Sequence, residues 1–251
     1  MRGVRTVERT QDSLTPGEWL VEARKIAVER AGRLVVRDVD VTLKHGERLG
    51  IAGPNGSGKS TLLKVLALLL RPSRGSVRVL GVSGGGRVPV HIRRQMAVVF
   101  QEPYPLVGSV LDNVALPLRL RGISRPEAKR RAGVWLERFS LRHLAEQPAR
   151  TLSGGEQARM QLARAFAAEP RVLFLDEPFA AVDATSRAPL KALLDDIFAE
   201  QKITVILISH DFQDLLHLTH RTMVLLDGRV AAVGETAFLR ERSPVVQALF
   251  P

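Results

Sequence analysis

The 251-residue chain has no cysteine, which excludes disulfides and thiolate-bound metals and agrees with a reducing compartment. Aromatic residues are scarce at 5%, leaving few rings to stack on bases. Long apolar runs are missing too. The longest, residues 62–70, carries Lys64 and falls far short of the roughly 20 residues that span a bilayer. Residues 1–18 lack the apolar centre of a signal peptide. The expectation is a soluble or peripheral protein, with any membrane crossing left to another chain.

What is present suffices for a full core: 45% of the residues are hydrophobic, enough for one large domain or a domain with an inserted lobe. The formal net charge of +11 invites an anionic partner, either nucleic acid or a membrane surface. The basic residues are scattered, however, with only short clusters such as AKRRAG at 128–133. A solvated, Arg-rich surface is therefore the preferred reading, and no specific nucleic acid is expected.

The most informative stretch is GPNGSGKST, residues 53–61, between an apolar strand pattern at 46–52 and a helix pattern at 62–70. The first amides of a helix have no intrahelical acceptor and its dipole is positive there, so a polyanion is stabilised at such a junction. Gly53, Gly56 and Gly58 carry no Cβ to keep the backbone from a phosphate. The spacing through Gly58, Lys59 and Ser60 matches G-x-x-x-x-G-K-[ST], where lysine reaches the outer phosphates and the hydroxyl joins Mg²⁺. Pro54, Asn55, Ser57 and Thr61 complete this candidate nucleotide loop.

Elsewhere the patterning predicts two strands between Trp19 and Leu43, and further strands at 76–81, 96–100, 171–175 and 203–208. The last two are nearly continuous apolar runs, as a buried parallel sheet requires. Residues 102–168 show helical patterns only, at 109–120, 124–138 and 153–168, and read as a helical lobe inserted in an α/β domain. Ser124 and Glu127 have the spacing of a capping box with Pro126 between them. Another helix is expected at 186–200, a hairpin around Asp227-Gly228, and a flexible joint at GVSGGGR. Residues 1–18 form a polar, loosely ordered leader by this reading, and 19–251 the domain.

Asp176 and Glu177 end the strand VLFLD and would face the same crevice as the phosphate loop. Asp176 can hold Mg²⁺ with Ser60, and Glu177 can deprotonate an attacking water. In LSGGEQ, Ser153 and Glu156 satisfy a capping box, but that does not account for Gly154 and Gly155, which cost about 1 kcal/mol each in a helix. They make sense as a second phosphate-binding helix start, offered to a nucleotide held by another copy. His210 follows a further buried strand, placed to touch a γ-phosphate.

These residues together resemble the nucleotide-binding subunit of an ATP-binding cassette (ABC) transporter over residues 20–240. Gly53–Thr61 is similar to its Walker A motif, Gln101 to the Q-loop glutamine, Leu152–Gln157 to the signature, Val172–Glu177 to Walker B, Ala180–Asp183 to the D-loop and His210 to the switch histidine. The resemblance implies a P-loop NTPase (RecA-like) α/β mixed-sheet core with an N-terminal antiparallel β subdomain and an inserted α-helical subdomain. It implies Mg²⁺-dependent hydrolysis of ATP in a head-to-tail dimer, homomeric or with a related ATPase, where Ser153, Gly154, Gly155 and Glu156 complete the partner's site and Asp183 contributes from the D-loop. Glu177, His210 and Gln101 would be catalytic, and Ser60, Gln101 and Asp176 would serve the metal.

It further implies a cytoplasmic subunit on the inner face of the membrane, coupled to permease subunits and an extracytoplasmic solute-binding protein. In that family an aromatic usually stacks on adenine before Walker A, and Arg30 stands there in this chain. LDEPFAAVD is similar to importer sequences, and residues 100–122 look most like ATPases serving oxyanions such as tungstate. The alternative function is a soluble ABC-type ATPase acting on nucleic acid or ribosomes.

Overall fold

The computed structural model describes residues 19–102 and 104–250, so the expected leader at 1–18 lies outside the described residues. Strands β1 (Val21–Arg30) and β2 (Arg33–Leu43) pair antiparallel around Ala31 and Gly32, both at positive φ, which matches the right-handed twist of a two-residue hairpin. Next come β3 (Arg48–Ala52), helix α1 (Lys59–Leu66), β4 (Arg74–Val79), the short β5 (Val82–Ser83), α2 (Val90–Arg93) and β6 (Met96–Val99). Helices α3 (Val110–Leu120), α4 (Arg125–Arg138) and α5 (Gly154–Ala167) follow. The chain then runs through β7 (Val172–Asp176), α6 (Ala184–Gln201), β8 (Thr204–Ile208), α7 (Phe212–Leu218), β9 (Arg221–Leu226), β10 (Arg229–Glu235), α8 (Thr236–Arg242) and α9 (Pro244–Leu249).

Two sheets result. The smaller has the order β2-β1-β4-β5, and its pairs are antiparallel. The larger has the order β10-β9-β3-β8-β7-β6, parallel throughout except for β10. Because β3, β6, β7 and β8 run the same way, their carboxyl ends open on one edge of the sheet, where an α/β fold places ligands.

Both faces of the larger sheet are covered, which explains why β7 and β8 are apolar at every position. Val172, Phe174, Ile206 and Ile208 join the core shared with α1 and the smaller sheet. Leu173, Leu175, Val205 and Leu207 join the core shared with α3 to α7. The few aromatics are concentrated at this second core, where Phe166 stacks on Trp135 at 5.4 Å and on Phe139 at 5.8 Å, and meets Phe198 at 6.2 Å. One ring cluster thus joins α4, α5 and α6.

Three expectations change. Helix α1 ends at Leu66 rather than residue 70, and the chain turns away through Leu68 at φ 57°; a uniformly apolar run carries no periodic mark of where a helix stops. Ser124 caps α4 without a side-chain bond, and the reciprocal bond of a capping box is missing because the Glu127 carboxylate turns to the guanidinium groups of Arg130 and Arg131. The GVSGGGR joint contains β5, which pairs Val82 with Val79. Helices α2, α7, α8 and α9 were not anticipated.

Candidate functional site

The loop Gly53–Thr61 joins β3 to α1 and bends under steric rules that its glycines satisfy. Gly53 has φ 140°, and a Cβ there would lie 2.2 Å from the Leu225 carbonyl oxygen. Gly58 has φ 100°, and a Cβ would lie 2.5 Å from the Val35 carbonyl oxygen. Neither position accepts another residue without moving backbone. Lys59 is buried, and its Nζ donates to the carbonyls of Gly53 at 2.8 Å and Pro54 at 3.0 Å. Burial lowers its pKa, opposed by the nearby Glu177 and Asp176 carboxylates. An ammonium held against its own loop is positioned for incoming phosphate oxygens.

A cleft of about 690 Å³ opens over this loop. Eight of the nine loop residues line it, together with Gln101, Asp176, Glu177 and His210. Ser57 does not, and its Oγ is buried with no partner among the described residues. Thus residues spread across more than 150 positions of sequence meet at the carboxyl ends of β3, β6, β7 and β8. At the end of β7, Asp176 Oδ1 accepts from the Ser60 hydroxyl at 3.1 Å. Burial pushes the Asp176 carboxyl above its usual range, while the Ser60 hydrogen bond works against that. Such a carboxylate gains from any cation placed beside it.

Glu177 sits one residue further on, at φ 49°. Its Oε2 lies 2.6 Å from His210 Nδ1 and also accepts from the His210 backbone N–H at 3.3 Å. A carboxylate beside an imidazole can accept a proton from water and hold the resulting geometry.

The other expected residues lie off this wall. Ser153 caps α5: its Oγ accepts from the Glu156 N–H at 3.4 Å, while Glu156 Oε2 accepts from the Ser153 N–H at 2.8 Å and hydroxyl at 2.7 Å. Those bonds hold the Glu156 carboxyl below its usual range. At Gly154 a Cβ would lie a tight 3.3 Å from Ala181 Cβ, whereas at Gly155 it would make only ordinary contact, 3.5 Å from the Ala181 carbonyl oxygen. Asp183 caps α6, accepting from the Thr185 and Ser186 N–H groups. Arg30 is exposed at the end of β1 and is not on the cleft wall; Val35 of β2 is.

Leu249 and Phe250 also line the cleft. No motif marks them, since they reach the site only through the packing of α9 and the 5.3 Å contact of Phe250 with Phe212.

The residues fit a small hard cation of the Mg²⁺ type. Ser60 and Asp176 offer oxygen, and Gln101 faces the same space. Among the described residues no group of three His, Cys, Asp or Glu could hold a metal alone, which suits an ion that takes its remaining ligands from phosphate and water.

A family model described as ABC transporter matches residues 36–180. The taurine import ATP-binding protein TauB of Pseudomonas aeruginosa is 39% identical over 217 residues, covering 84% of this chain and 80% of that protein. The sulfate/thiosulfate import ATP-binding protein CysA of Rhodopseudomonas palustris is 37% identical, covering 88% of this chain and 65% of its own length. The molybdenum import ATP-binding protein ModC of Mycobacterium tuberculosis is 37% identical, covering 80% and 57%. Among solved structures, the dimeric ATP-binding cassette MJ0796 bound to ADP and Pi superposes with a TM-score of 0.79 at 30% identity, over 86% of this chain and 98% of that one. With the phosphate loop, acid pair and histidine assembled at one sheet edge, the chain belongs to the ABC transporter family, as an ATP-binding subunit.

Proposed function

We propose that this chain hydrolyses ATP to drive solute import through a separate permease. The observation that carries the chemistry is the Glu177–His210 pair, 2.6 Å apart on the wall of the cleft that holds the phosphate loop. Lys59 and the loop amides bind the triphosphate. Glu177 takes the proton of the attacking water, His210 orients Glu177 and meets the outer phosphate, and Gln101 helps to place the water. Ser60, Asp176 and Gln101 would hold Mg²⁺, which would neutralise charge on the phosphate oxygens.

The Ser153–Glu156 turn supports a head-to-tail dimer. It lies off the cleft of its own chain, and the first-turn N–H groups of Gly154 and Gly155 have no intrahelical acceptor. They would complete the site of a second copy or a related ATPase, with Asp183 alongside. Closure is then favoured only when both sets of phosphate contacts form.

Residues 102–168 serve as the lobe that docks on the permease, which places the chain on the inner face of the membrane. An extracytoplasmic binding protein would deliver the solute. The names of the relatives point to sulfonates and oxyanions, and an inorganic oxyanion such as tungstate is the cargo proposed here.

Phosphate release measured against protein concentration tests the reading. Mg²⁺-dependent activity that rises with the square of concentration at low protein supports a shared site. Activity strictly proportional to concentration, from a species that stays monomeric, would overturn it.

A further inference from the structure

The carboxylate of Asp214, in the first turn of α7, is fully buried and is used by none of the steps above. Burying an isolated carboxylate is expensive, so its partners identify what it holds together. Arg187 Nη2 donates to Asp214 Oδ2 at 2.6 Å, and Lys191 Nζ lies 3.3 Å from Oδ1. Both cations belong to the first half of α6, the helix that Asp183 caps. The third partner is Ser209, buried, whose hydroxyl donates to the same Oδ2 at 2.7 Å and accepts from the Asp211 N–H at 3.1 Å.

Ser209 and Asp211 are the two chain neighbours of His210, so the backbone on both sides of the imidazole is tied to one buried carboxylate. The same Arg187 covers the ring of Phe179 at 5.7 Å, two residues beyond Glu177. The chain entering α6 includes Ala181, which a Cβ on Gly154 or Gly155 would meet at 3.3 Å or 3.5 Å.

We propose that Asp214 is a positioning residue that clamps the His210 turn to the first half of α6, and so fixes the imidazole against Glu177. Resting on the reading of Glu177 and His210 as the hydrolytic pair, it assigns the orientation of that pair to a residue that touches neither nucleotide nor water. It also joins, within one chain, the turn offered to the partner's nucleotide and the pair that acts on its own. The links run from the α5 glycines through Ala181 and α6 to Asp214, and from there through Ser209 to His210. The first link is a close approach that a Cβ on either glycine would fill, the second is the short stretch of chain from Ala181 to α6, and the rest are the ion pair and hydrogen bond at Asp214.

Two variants test the clamp. Asp214→Asn keeps the shape and removes the charge. Ser209→Ala removes the hydroxyl that joins Asp214 to the Asp211 N–H and leaves the ion pairs of Arg187 and Lys191 with Asp214 in place, so it is the milder of the two for the fold. For each, kcat and KM for ATP are measured, and the His210 ring signals are followed by proton–nitrogen NMR, assigned by their loss in His210→Gln. The expected result is a fall in kcat of about tenfold for Asp214→Asn and about threefold or more for Ser209→Ala, KM within twofold, and displaced His210 signals in both. Unchanged His210 signals, or a fall in kcat without their displacement, overturn the proposal. Full activity of His210→Gln would instead sink the hydrolytic reading, while the NMR displacement would still decide whether the clamp exists.

Discussion

His210 Nδ1 and Glu177 Oε2 are 2.6 Å apart although 33 positions separate them in sequence. Sheet register brings them together. Strands β7 and β8 are parallel neighbours with Asp176 opposite Ile208, and the Glu177 N–H donates to the Ile208 carbonyl at 3.0 Å. The residues following each strand therefore emerge side by side.

Glu177→Gln keeps the size of the side chain but removes the base. Phosphate release should fall by about 100-fold or more, while ATP binding persists. With saturating ATP, light scattering should report twice the 27.6 kDa chain mass. Retained turnover, or a particle that stays monomeric with ATP bound, would contradict the assigned roles.

Glycine substitutions in the phosphate loop should not be equivalent. Gly58→Ala forces a Cβ to 2.5 Å from the Val35 carbonyl oxygen, whereas Gly56→Ala, at φ 82°, meets no atom within 4 Å. The second should cost only the about 1–2 kcal/mol of a left-handed alanine, and the first considerably more. Urea unfolding midpoints of the two variants compare them directly; equal losses would show that the loop relaxes away from Val35.

Phe166 is fully buried at the meeting of α4, α5 and α6. Phe166→Ala should cost about 3–5 kcal/mol, the usual range for deleting a buried ring. Phe238 is 43% exposed, and its alanine variant serves as the control with a much smaller loss. Similar denaturation curves for both would place the ring cluster outside the rate-limiting core of stability.

Glu127 should make stability depend on acidity. Hydrogen bonds from Arg130 and Arg131 hold its carboxyl down at about 2 from an ordinary 4.5. The folded pKa is depressed, so its contribution is complete above the ordinary value and disappears as pH falls through the folded value. The Tm difference between the native chain and Glu127→Gln should thus be constant at neutral pH and shrink between about 4.5 and about 2. Because the pair is on the surface, added salt should shrink it too. A difference insensitive to both would show that the variant acts through something other than this ion pair.

Much of the site was legible because its constraints are local. Nine consecutive residues around Lys59 need particular backbone angles and particular donors, and those needs are written as spacing. Asp176 and Glu177 announced themselves as charges ending an apolar run. Arg30, counted back from the loop, is exposed at the end of β1, and Val35 of the next strand lines the cleft. Ser124 and Glu127 had the right separation for a box, yet two arginines one turn ahead competed for the carboxylate and won.

The amino-acid order by itself determined the phosphate loop, the acid pair, the buried parallel strands and the run of helices between them, since each depends on neighbours within one turn or one strand. Tertiary structure alone decided that His210 meets Glu177, that Phe250 walls the cleft, and that Asp214 lies between α6 and the switch turn. Those contacts depend on which strands pair and in what register. That is set by how the two cores close over the sheet, and no short window of sequence contains it.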